Sequence, residues 1–244
     1  MKKLVYLAAV MFAMATTVKA QDDSGVKIEA GADVVSSYVW RGVYQTGLSV
    51  QPGVTASLAG VSLGAWGSAD LGSGFKEFDL SLSYGIGGFS VGLTDYWWQG
   101  QGSAYFTKWY DYQVDPLLGT IQGGHILEAT VSYGFGESFP LSLSWSTMLA
   151  GKADRGADDK QLYSSYFEAG YDFKVKDVDC TASIGISPWA SCYTPADKDF
   201  CVTSLALKAA REITITDKFS LPVFAQVIFS PATDDAHLVF GITF

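Results

Sequence analysis

Apolar and polar residues alternate with a period of two along most of the chain, most cleanly at its end. In His237–Phe244, one face carries Leu238, Phe240, Ile242 and Phe244, and the other His237, Val239, Gly241 and Thr243. A two-residue repeat is that of a half-buried β-strand. Eleven further stretches repeat it: Val26–Trp40, Ser49–Ala59, Val61–Leu71, Lys76–Ile86, Phe89–Trp97, His125–Phe135, Leu141–Ala150, Leu162–Lys174, Val178–Ser187, Cys201–Ile213 and Phe219–Phe229. The linking segments alternate in length. Ala59-Gly60, Gly87-Gly88, 136–140, 175–177 and 214–218 are short, whereas 42–48, 72–75, 98–124, 151–160, 188–200 and 230–236 are mostly longer. An even strand number, short turns at one end and long loops at the other describe an antiparallel up-and-down barrel. Trp98–Gly124 is long enough to hide a further strand pair.

Which face points inward follows from composition. The polar face is mostly Ser, Thr and Gly with scattered charges, and the chain has 26 Gly and no Asn. A soluble sandwich or lipocalin-like barrel would show Lys and Glu outside. Small polar groups suit a wet interior, which leaves the apolar face to lipid. Aromatics sort to the ends of that face. Tyr84, Phe89, Tyr133, Phe135, Tyr171, Phe173, Phe219 and Phe244 lie near the short turns. Tyr38, Trp40, Phe78, Trp97, Tyr163 and Phe229 lie near the long loops. Two such girdles around an aliphatic band match the two interfaces of a bilayer.

The first residues read as a cleaved signal peptide, 1–20. Lys2 and Lys3 precede the apolar run Leu4–Ala15, and Val18-Lys19-Ala20 supplies the cleavage pattern. The expected mature barrel is 21–244. Losing Lys2, Lys3 and Lys19 leaves 13 basic against 25 acidic residues, a net charge of −12, which argues against nucleic acid as a partner. The partners expected are outer-membrane lipid and the barrel assembly machinery, which would read the C-terminal strand ending in Phe244.

Ser36-Ser37-Tyr38-Val39-Trp40-Arg41-Gly42 resembles the serine–aromatic–x–aromatic–Arg–Gly segment that opens the TorF-type porins, small bacterial outer-membrane barrels. Gln51-Pro52-Gly53 and Phe219–Phe224 are similar to segments of related small barrels of the Bacteroidetes. The resemblance implies an outer-membrane barrel and a porin-like role.

Catalytic chemistry is sparse. A Ser-His-Asn phospholipase needs an asparagine, and the two histidines, His125 and His237, fall on opposite parities. His125 and Glu128, three apart on a strand, face opposite ways and form no dyad. The chain is therefore expected not to be an enzyme, with no cofactor and no metal site. Cys180, Cys192 and Cys201 lack metal-ligand spacing, and a Cys192–Cys201 disulfide across a loop is expected, with isolated thiols as the alternative. Inward parity places Arg41, Asp70, Glu77, Asp79, Glu128 and Glu168 in the lumen, with Asp70 opposite Glu77 across the Gly72-Ser73-Gly74 turn. Lys174 is expected to face Asp179. Trp66, Tyr96, Tyr166 and Phe224 also point inward and would narrow the passage. Tyr105, Trp109 and Tyr112 in the long connection are candidates for stacking on a ligand. The expectation is a narrow passive channel for small solutes with weak cation preference, since carboxylate rings favour cations. The alternatives are a non-conducting structural or ligand-binding barrel and, more remotely, an outer-membrane enzyme.

Overall fold

A computed structural model describes residues 20–21, 25–99, 124–195, 198–217 and 219–244. Twelve antiparallel strands close into a barrel: β1 (Lys27–Val35), β2 (Ser49–Leu58), β3 (Val61–Asp70), β4 (Lys76–Ile86), β5 (Phe89–Gln99), β6 (Gly124–Gly134), β7 (Leu141–Ala150), β8 (Ser165–Val175), β9 (Val178–Ser187), β10 (Cys201–Thr216), β11 (Phe219–Ser230) and β12 (Asp235–Thr243). Each strand pairs with its sequence neighbour, and β12 pairs with β1 to close the ring. Closure satisfies the backbone of both edge strands, as a lipid-facing sheet requires.

The closing seam is short. Its register is Gly241↔Val35, Ile242↔Val34 and Thr243↔Asp33. Reciprocal bonds between Ala32 and Phe244, with Ser36 N donating to Phe240 O, extend it at both ends. The first residues of β1 lie beyond Phe244, and there Ala20–Gln21 pairs with Lys27 and Ile28.

Alternation sorts side chains as expected. Leu63, Leu80, Leu82, Leu93, Val131, Leu207, Val227 and Leu238 are exposed on the exterior. The girdle near the short turns is complete: all eight aromatics expected there are exposed. So continuous an apolar surface belongs against lipid.

At the other end the expected girdle is only partly present, because β1 stops early and because Trp97, expected there, is buried with its ring stacked on His125. The expected strand Val26–Trp40 leaves the wall after Val35. Tyr38–Trp40 and Val43–Thr46 instead form a separate two-stranded hairpin, with no ladder to the barrel. Tyr38 and Trp40 are therefore not lipid-facing. Tyr38 meets Trp66 edge-on, and Trp40 packs on Tyr96, Trp98 and Tyr193. The hairpin lies inside the barrel.

Candidate functional site: a latched hairpin in the lumen

The hairpin turns through Arg41 and Gly42, both with positive φ, 53° and 83°. A two-residue turn with both central residues in this region fits the twist of a hairpin, and it holds a non-glycine residue at Arg41. Gly42 sits so close to β10 that a Cβ there would lie 1.8 Å from the Thr203 carbonyl oxygen. The hairpin leaves the wall between β1 and β2 and reaches β6 and β8, on the opposite side of the twelve-strand ring, as well as β10.

Arg41 is the latch. Its guanidinium grips Glu128 of β6 with both arms, Nη1 to Oε2 at 2.6 Å and Nη2 to Oε1 at 2.8 Å. The side chains are 8% and 0% exposed. Nη1 also donates to Tyr193 Oη at 2.5 Å, and Tyr96 Oη donates to Glu128 Oε1 at 2.9 Å. The guanidinium carbon lies 4.4 Å from the Trp40 ring centroid, 4.7 Å from that of Tyr166 and 5.3 Å from that of Tyr193. Planar, bidentate and stacked contacts of this kind suit arginine and not lysine. Tyr96, Ile126, Met148, Tyr166 and Tyr193 form the buried cluster around it.

The other expected lumen carboxylates divide. Glu77 is buried and accepts from Trp98 Nε1 at 2.6 Å. Asp79, two residues on, is also buried, and neither Glu77 Oε2 nor Asp79 Oδ1 has a well-directed hydrogen-bond partner. Glu168 accepts from Tyr166 Oη at 2.8 Å. Asp70 is a correction. The register pairs Ser68 with Glu77 and Ala69 with Lys76, so Asp70 does not oppose Glu77. Its carboxylate caps the turn, accepting from the backbone N–H of Gly72 and of Ser73. Lys174 does face Asp179, at 2.9 Å.

The expected disulfide is not formed, and all three cysteines are free. Cys201 is buried at the start of β10. Cys192 is exposed as a residue, yet its thiol turns towards Met148 Sδ at 3.9 Å, and loss of water there pushes it up to about 12. Tyr105, Trp109 and Tyr112 lie outside the described residues.

One pairing escaped the sequence reading. His125 forms no dyad with Glu128, but its Nδ1 lies 2.8 Å from Asp95 Oδ2 on the neighbouring strand, and its ring stacks on Trp97 at 5.4 Å. The signal was cross-strand, since Trp97 and His125 are register partners. Among the described residues, no cluster of three metal-ligating side chains occurs.

No family model and no curated protein matches the chain. Among solved structures, two mutants of the Rhodopseudomonas blastica porin align over 93% of this chain and 86% of theirs. Their identities are 12% and 11%, and their TM-scores 0.40 and 0.38.

Proposed function

We propose that the chain is an outer-membrane channel for small solutes whose outer passage is narrowed by the latched hairpin, with a preference for cations. The observation that carries this reading is the charge balance around the latch. Glu77, Asp79, Glu128 and Glu168 face the lumen there, and Arg41 is paired to one of them. The remaining carboxyls favour cations over anions at a constriction. The apolar exterior supports a bilayer location, and the alternating apolar face of β12 supports delivery by the barrel assembly machinery.

The test is conductance of the purified protein in planar bilayers. Discrete steps are expected, with a reversal potential under a KCl gradient that has the sign of K⁺ permeation. It should shrink in a Glu77→Ser/Asp79→Ser variant. Asp70 is left unchanged, because it caps a turn. Anion preference in the parent would defeat the cation reading. A folded but silent protein whose hairpin-deleted form is also silent would leave a closed structural or ligand-binding barrel.

A further inference from the structure

The socket that holds Arg41 is built almost entirely by residues outside the hairpin. Glu128 comes from β6, Tyr96 from β5, Tyr166 from β8 and Tyr193 from the loop after β9. Tyr96 Oη fixes one carboxylate oxygen at 2.9 Å, so the carboxylate is oriented by the wall as well as by its ligand. The Tyr166 and Tyr193 rings both flank the bound cation, and Ile126 and Met148, each almost wholly buried, pack in the same cluster. An oriented, desolvated carboxylate beside aromatic faces is a receptor for a flat cation with two parallel N–H donors.

From this we infer that the barrel wall carries a guanidinium-recognition site, that Arg41 is its tethered occupant, and that solutes bearing an alkylguanidinium group compete with Arg41 for it. The hairpin has its own short ladder and no ladder to the wall. Displacing the side chain therefore leaves every barrel strand pair in place. A tether of a few residues gives the occupant an effective concentration in roughly the millimolar range, so a free competitor must reach that range to displace it. A primary ammonium can pair with Glu128 but cannot make the fork and the stack together. The consequence for transport rests on the channel reading above; the binding itself does not.

The experiment uses the full chain in detergent micelles with Arg41→Ala, which empties the socket and leaves Glu128. Methylguanidinium and methylammonium chlorides are titrated at equal ionic strength while tryptophan emission and the thermal midpoint are followed. Saturable binding of methylguanidinium is expected, about tenfold tighter than methylammonium, and it should vanish in Arg41→Ala/Glu128→Gln. No saturation, or equal response to the two cations, overturns the inference. If Arg41→Ala does not assemble, Arg41→Lys retains the charge. Methylguanidinium should then raise the thermal midpoint of Arg41→Lys and not that of the parent, and a flat response overturns the inference equally. Conductance is recorded in parallel. Binding without current keeps the site and removes the channel; current without binding does the reverse.

Discussion

The two ends of the lumen are held together in different ways. Towards the short turns, polar side chains bond to the adjacent strand. Ser57 meets Ser62 at 2.8 Å, and Thr243 donates to Asp33 at 2.6 Å across the closing seam. Lys208 lies over the Phe224 ring of the next strand at 4.1 Å. Towards the long loops, the bonds run from one side of the ring to the other, from Arg41 to Glu128 and Tyr193. Bonds between neighbouring strands line a wall and leave the axis free. Bonds that cross the ring fill it. The same alternating strands thus make one end bonded along the wall and one end bonded across it, and one short hairpin accounts for the difference.

The sharpest way to break that contrast is to remove the crossing element. Replacing 38–46 by a short Gly-Ser link should raise single-channel conductance severalfold in planar bilayers, the largest effect expected. Unchanged conductance would place the constriction elsewhere. Next comes the latch. Glu128→Ala strands a buried guanidinium and should cost roughly 3–5 kcal/mol in urea unfolding from lipid vesicles. Asp33→Asn, at the other end, removes one charge-assisted bond and should cost roughly 1–2 kcal/mol. Equal losses would erase the distinction between the two ends. Gly42→Ala tests the seating of the tip. Its Cβ has no room beside the Thr203 carbonyl, so the hairpin must back away, at about 1–3 kcal/mol, and the conductance should rise with the loss of stability. Ser57→Ala should be smallest, within about 1 kcal/mol, with conductance unchanged.

The wall was legible in the sequence because every strand has one face in lipid and one in the lumen, and the two environments accept different residues. Eleven of the twelve strands begin within two residues of where alternation alone places them. Alternation also hid the hairpin. Val34, Ser36, Tyr38 and Trp40 continue the parity of β1 without a Gly or Pro to mark the break at Ser36-Ser37, and two aromatics at a strand end look like an interfacial girdle. The signal that could have exposed it is Arg41-Gly42 between Trp40 and Val43, a two-residue turn flanked by apolar residues. The inward directions of Glu77, Asp79, Glu128 and Glu168 were readable from parity. Their partners were not, because partners depend on register. Asp70 shows this, since its turn aligns Ser68 and not Asp70 with Glu77. The Asp95–His125 contact was hidden for the same reason, as it joins two strands separated by a long connection.

Towards the short turns, Phe224 lies directly across the ladder from Gly241. A Cβ at Gly241 would fall 2.1 Å from the Phe224 ring, in space the ring now fills. The aromatic is thus folded flat into the wall, with Lys208 resting over it. Any side chain at 241 must push that ring towards the axis and carry the ammonium with it. The space inside the wall here is therefore set by an atom the chain omits, and graded substitutions at 241 would push the ring, and a positive charge with it, further inward with each added carbon.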